Sequence, residues 1–167
     1  MKGMGNVKKV CSFCVSDWHF ITMVTPFINQ KIKNKEKLLL YTSQNYSLLI
    51  KAFLPKLMIE NERKQQIADL NWNESKIKKY SQIEENLKEI NDNEITIIIK
   101  GDNIYIEKTN NLIEKWAKDN SNKKITVVNC YDVAEFNQNL EDILKKHDKI
   151  LNTSGEKEIS DVFEGVS

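Results

Sequence analysis

Cys11 and Cys14, three residues apart, are the first side chains in the chain with reactive chemistry, and His19 follows them closely. Such a cysteine pair at a helix N-terminus would be a redox couple, and with two further ligands it would hold zinc. Here, however, the run Val10-Cys11-Ser12-Phe13-Cys14-Val15-Ser16 reads as a strand, with the helix starting only at Asp17-Trp18-His19. Side chains three apart in a strand point to opposite faces. The two thiols are therefore expected to be buried packing groups rather than a disulfide or a shared metal site. Cys130 and His147 extend the set of available ligands, but only one close pair exists among them, so no metal and no cofactor is expected. Cys130 with His19 or His147 would be the nucleophile couple of a cysteine enzyme, yet the local signatures of such enzymes are absent.

The junction after the first strand is also where an open α/β sheet would bind phosphate. It contains no glycine and no Gly-Lys-Ser/Thr, so the usual phosphate cradle is missing. Ser154-Gly155-Glu156-Lys157 has the ending of such a loop but lacks the strand and the upstream glycine, and it reads as a turn.

Strand and helix patterns alternate along the chain. This predicts a three-layer α/β fold, with a mostly parallel five-stranded sheet and helices on both faces, RecA/KaiC-like or Rossmann-like. The strands are expected at about Lys8 to Ser16, Glu36 to Thr42, Gln65 to Trp72 (as an edge), Glu94 to Lys100, and Lys124 to Tyr131. Asp17, Ser43 and Asp132 are expected as helix caps, and Pro26 as a bend or a later start of the first helix. Gly101-Asp102-Asn103 should turn into a helix, Glu74 to Ile90 should form another, and one with Phe136 and Leu140 should lead to His147. Residues 1–152 are expected as a single domain, and 153–167 as a polar C-terminal tail.

With 167 residues, 40 % hydrophobic and 29 % charged, the chain has the composition of an ordinary globular domain. A net charge of +1 and a single arginine, Arg63, argue against a nucleic-acid surface, because arginine is the preferred residue for phosphate and base-edge contacts. No apolar run approaches the length of a membrane span, and no signal-peptide core is present; the expectation is a cytoplasmic protein with reduced thiols.

Asp17, Trp18 and His19 at the end of the first strand, with Tyr131 and Asp132 at the end of the last strong one, could converge on the carboxyl edge of the sheet. They are the candidate ligand-binding residues. Taken singly, each has a plainer reading, the two aspartates as caps and the aromatics as edge packing.

These positions carry a resemblance. The chain resembles the MEDS sensory domain, named for methanogen and methylotroph proteins, in the order and spacing of elements over about residues 8 to 151. The matching features are the apolar strand ending at Phe13-Cys14, the segment Val24-Thr25-Pro26-Phe27, the turn Lys35-Glu36 before Leu38 to Tyr41, the strand closing on Asn129-Cys130-Tyr131-Asp132, and the helix running to His147. Cys14 replaces the family's second aromatic, Lys35 its turn glycine, and the cysteine lies next to Tyr131 rather than two residues before it. The resemblance implies a RecA-like or KaiC-like core without a working nucleotide loop, used for sensing in bacterial signalling and gene control.

The combined expectation is a non-enzymatic sensory or regulatory domain that binds a small apolar or weakly polar molecule at the sheet's carboxyl edge. It would signal through a protein partner such as a transcription regulator, or through a homodimer. The alternatives are a protein-interaction module docking through its middle helices, and a Cys130-dependent enzyme.

Overall fold

Aliphatic and β-branched runs flanked by polar turns become the strands of one sheet. The computed structural model describes residues 5–73, 80–135 and 140–163. The strands β1 (Val7–Cys14), β2 (Lys37–Thr42), β3 (Glu94–Lys100), β4 (Lys124–Asp132) and β5 (Lys149–Asn152) run parallel in the order β2-β3-β4-β1-β5, and β6 (Gly155–Glu158) is added antiparallel to β5. A parallel sheet must be covered on both faces. The helices α1 (Asp17–Lys33), α2 (Ser47–Phe53) and α3 (Asn61–Ala68) cover one, and α4 (Tyr80–Lys88), α5 (Asn103–Lys118), α6 (Leu140–Lys145) and α7 (Ile159–Val162) cover the other. The three-layer, mostly parallel α/β architecture expected from the sequence is the observed one.

Strand alternation assigns each side chain to a layer. In β3, Ile95, Ile97 and Ile99 enter the core under α4 and α5, while Ile98 enters the core under α1. In β4, Val127 and Tyr131 face α5, whereas Val128 and Cys130 face α1. Cys11 and Cys14 fall in different cores, as their spacing in a strand requires.

Several local expectations are corrected. Gln65 to Trp72 is not an edge strand: Asn61–Ala68 is helical, and the good helix formers Glu62, Arg63, Lys64, Gln65 and Gln66 outweigh the alternation read from Ile67, Leu70 and Trp72. Buried Trp72 follows, its indole donating to the Ile67 carbonyl at 2.8 Å and its own carbonyl accepting from Tyr46 N at 2.7 Å. The first helix is capped by Ser16, whose hydroxyl accepts from His19 N, and Asp17 is its first helical residue. The second starts at Ser47, where Asn45 Oδ1 accepts from Ser47 N, and not at Ser43. Asp132 ends β4 and forms an ion pair with Lys100. Pro26 sits inside an unbroken α1. Asp102 does cap α5, accepting from Tyr105 N. Residues 74–79 of the helix expected from Glu74, and 136–139 of the one expected around Phe136, lie outside the described residues.

Helix α1 ends in a Schellman motif: Lys35 N donates to Ile32 O, and Glu36 N donates to Lys31 O. Its left-handed residue is Lys35, at φ +59°, a conformation that suits glycine and strains a side chain. Lys35→Gly should raise stability by up to about 1 kcal/mol, read as a higher urea midpoint with an unchanged slope; a lower midpoint would show that the lysine is not strained.

Within the span expected as a polar tail, Gly155–Glu158 form β6 of the sheet and Ile159–Val162 a short helix, while residues 164–167 lie outside the described residues. Asn152 Oδ1 accepts from Ser154 N in the β5–β6 turn, and Gly155 takes φ +103°. Ile159 is buried and Phe163 stands edge-on to Phe13 at 6.3 Å. Removing residues 153–167 should therefore destabilise the protein by about 3 kcal/mol or more, the usual cost of losing a large buried apolar side chain. Unchanged urea denaturation of the truncated protein would return this segment to the status of a tail.

Candidate functional site

The topology itself marks one crevice. From β1 the chain crosses by α1 toward β2, and from β4 it crosses by α6 over the opposite face toward β5, although β1 and β4 are neighbours. Connections that diverge from adjacent strands open a cleft at the strands' carboxyl ends. Here Cys14 pairs with Asp132 in register. The two strand ends singled out in the sequence are thus adjacent.

Their side chains nevertheless divide between two faces. Asp132 turns to the α1 side, where it pairs with Lys100 Nζ at 2.5 Å. Lys100 is 1 % exposed, and its ammonium also lies 5.7 Å from the Phe20 ring centroid. Tyr46 reaches toward the same place, its hydroxyl 3.4 Å from Asp17 Oδ1, a long contact. Burial raises the Tyr46 pKa, and the Asp17 and Asp132 charges add to the rise. Carboxylates thus stand where a phosphate would need donors. His19 Nδ1 accepts from Val15 N at 3.0 Å, which holds the junction closed. Trp18 packs edge-on against Phe53 at 5.5 Å, with Lys56 over its other side. None of Asp17, Trp18, His19 and Asp132 lines any of the three cavities described.

Tyr131, one residue away, faces α5 and does line a cavity of about 470 Å³ between α5 and α6. Its floor is a closed set of buried amides. Asn110 Nδ2 donates to Asn129 Oδ1 at 2.7 Å, and Asn129 Nδ2 donates back to Asn110 Oδ1 at 3.2 Å. The second proton of Asn110 goes to Ile106 O, and that of Asn129 to His147 Nε2 at 2.9 Å. Because a carbonyl only accepts, the 2.6 Å contact between His147 Nδ1 and Ile143 O places the ring proton on Nδ1. The network is fully paired, which is what a buried polar cluster must be to avoid a large desolvation penalty. Around the floor, Glu107, Asn111 and Lys146 face the cavity, and Lys9 is tied to Glu114 at 3.2 Å.

This arrangement suits recognition by hydrogen bonds better than proton transfer. Burial lowers the His147 pKa from 6.5 to about 4, with the nearby Lys9 and Lys146 charges assisting and the Ile143 carbonyl and Asp148 opposing. Burial likewise raises Tyr131. Burial pushes the Cys11 thiol up to about 12, and contact with Cys14 together with burial raises Cys130. A nucleophilic cysteine needs a depressed pKa and access, and Cys130 has neither. His147 also lies on the opposite face of the sheet from Cys130, with both ring nitrogens occupied. Among the described residues, no group of three or more His, Cys, Asp and Glu side chains could hold a metal.

Asn110, Asn129 and Lys100 were missed in the sequence, though each leaves a signal. Asn129 interrupts the apolar run Val127-Val128-Asn129-Cys130, and Asn110 sits on the same helical stripe as Ile106 and Ile113. Lys100 ends a strand made otherwise of isoleucines. A polar residue at a position whose period says core is the signature of a buried network.

His147 also sets a pH dependence. Its folded pKa lies below its unfolded one, so the unfolded chain takes up a proton that the folded chain refuses between pH 6.5 and about 4. The stability present above pH 6.5 should fall by roughly 3 kcal/mol as the pH drops through that window. Urea titrations at pH 7, 5.5 and 4.5 on the protein and on His147→Gln should show a steeper loss in the parent; parallel losses would mean that His147 is already charged when folded. No family model matches the chain, and no curated protein matches it.

Proposed function

We propose that this protein is a non-enzymatic regulatory domain, cytoplasmic, that binds a small polar molecule in the α5–α6 cavity and passes its bound state to a protein partner. The observation that carries the reading is the cavity floor: a paired Asn110–Asn129–His147 network beside Tyr131, at the one described cavity that reaches the switch point of the sheet. The paired amides and neutral imidazole form a rigid floor with no reactive group, and the hydrogen bonds to a ligand come from the wall residues Glu107, Asn111 and Lys146. The ligand is accordingly polar, where the sequence suggested an apolar or weakly polar one, and it sits on the α5 face rather than at the strand tips. Glu107 and Lys146 supply opposite charges at the cavity wall, a combination that suits zwitterions and neutral hydrogen-bonding molecules over strong anions.

The MEDS resemblance accords with this reading at one further point. Lys35 stands where that family has its turn glycine, and its backbone is left-handed, the conformation glycine favours. A sensory role, and the absence of a phosphate loop at the first junction, fit the same picture.

Thermal denaturation against amino acids, nucleosides, sugars and short organic acids tests it. A ligand present at about a hundred times its dissociation constant stabilises the folded state by about 2.7 kcal/mol, a shift of several degrees in Tm for a chain of this size. Glu107→Gln and Asn111→Ala should shrink that shift, and Trp18→Ala should leave it intact. No shift with any class, or a shift lost in Trp18→Ala alone, would remove the cavity from the proposal.

A further inference from the structure

We propose that the carboxyl edge of the sheet is the docking surface for a basic amphipathic segment of a partner protein. Exposed apolar side chains are normal when scattered. Here five of them follow the carboxyl ends of neighbouring strands, which sets them out as a row along that edge. Leu48 follows β2, Ile104 follows β3, Val133 follows β4, and Val15 with Trp18 follow β1, with exposures from 38 % at Trp18 to 81 % at Leu48. Since β2, β3, β4 and β1 are neighbours in that order, the row spans about 15 Å, the length of a short helical segment.

The junctions that carry the row are tied to one another. Ser43 N donates to Lys100 O, linking the ends of β2 and β3, and Lys100 pairs with Asp132, linking β3 to β4. Cys14 pairs with Asp132, linking β4 to β1. The row therefore rides on a rigid frame.

Charge selects the occupant. Three of the four junctions place a carboxylate within two residues of the exposed apolar side chain: Asp17 with Val15, Asp102 with Ile104, and Asp132 with Val133. Asp132 is neutralised by Lys100, but neither Asp17 nor Asp102 has an ion-pair partner among the described residues. Lys56 over Trp18 sets one cation at the β1 end, and against it the two carboxylates Asp17 and Asp102 leave the edge apolar and acidic on a chain whose net charge is +1. A second copy docked edge to edge would set Asp17 and Asp102 against like charges, and an anionic membrane would be repelled. A segment with an apolar stripe flanked by lysine or arginine satisfies both features.

This inference rests on the protein-partner half of the proposed function and not on the small ligand, so it is tested without one. The probes are two fluorescent synthetic helical peptides with the same leucine stripe, one filled with lysine and one with glutamate, titrated into the full chain and read by anisotropy. The lysine peptide should bind at least tenfold more tightly than the glutamate peptide. The combined variant Val15→Ser, Ile104→Ser, Val133→Ser should weaken it at least tenfold, while Met58→Ser with Val162→Ser, exposed apolar positions away from the row, should not. Asp17→Asn with Asp102→Asn, which keeps a capping side chain at position 102 and a side chain of the same size at position 17, should narrow the preference between the peptides and flatten the salt dependence; circular dichroism checks that each variant is folded. Equal binding of the two peptides, or undiminished binding by the triple serine variant, would overturn the proposal. So would dimerisation in sedimentation, or association with phosphatidylcholine vesicles, if either were abolished by the same three substitutions.

Discussion

Everything in this molecule depends on β4 being inserted between β1 and β3 in a sheet buried on both faces. A strand in that position has no solvent-facing side, so each of its residues must be accommodated by one helical layer or the other. Ile125, Val127 and Tyr131 go to the α4–α7 layer, and Val128 and Cys130 to the α1 layer. The same alternation separates Tyr131 from Asp132 and creates two different environments from adjacent residues. On one side is a cavity floored by amides. On the other is an ion pair whose lysine is buried beside Phe20 and whose carboxylate reaches water.

Both polar groups are costly places to put polarity, and they are managed differently. The Asn110–Asn129–His147 cluster avoids charge: burial keeps the imidazole neutral, and each amide proton has an acceptor. Lys100 is charged, so burying its ammonium demands a carboxylate, which Asp132 supplies from a partly exposed position. Losing Asp132 would strand a buried cation, whereas losing Lys100 would leave a carboxylate that water can still reach. The asymmetry explains why the lysine is at the deep end of the pair.

The layered fold was legible because parallel strands make continuous apolar runs: Glu94–Lys100 and Lys124–Asp132 match their expected spans closely. What the sequence hid has physical reasons. Ile67, Leu70 and Trp72 imitate alternation, yet the residues before them prefer helix and Trp72 is placed by its own hydrogen bonds. β5 and β6 are four residues each, and β6 is an edge strand of Gly155, Glu156, Lys157 and Glu158, charged as edges are to discourage further pairing. Polar composition therefore made it look like a tail. At the site, the adjacency of the β1 and β4 ends was foreseeable from chain order. The division of Tyr131 from Asp132 was foreseeable too, since alternation alone dictates it. The Asn110–Asn129 pairing was not, because it joins a helix to a strand in a register that only the packed layers set.

The cavity and the apolar edge share their supports, and this bears on how one could influence the other. Helix α5 carries Ile104 at its start and Asn110 on its buried stripe, six residues and about 9 Å along the axis. β4 carries Tyr131 in the cavity wall and leads two residues later to Val133. A molecule seated against Asn110 and Tyr131 would touch both elements that present the edge. Coupling between sites needs a difference in interaction free energy between two arrangements, and short rigid elements transmit a shift without dissipating it. The α5–α6 gap of about 470 Å³ lies beside both elements, whereas the strands themselves are tied end to end. A molecule filling that gap would press on the start of α5, where Asp102 and Ile104 lie, and on the end of β4 just before Val133, two of the junctions that a partner reads.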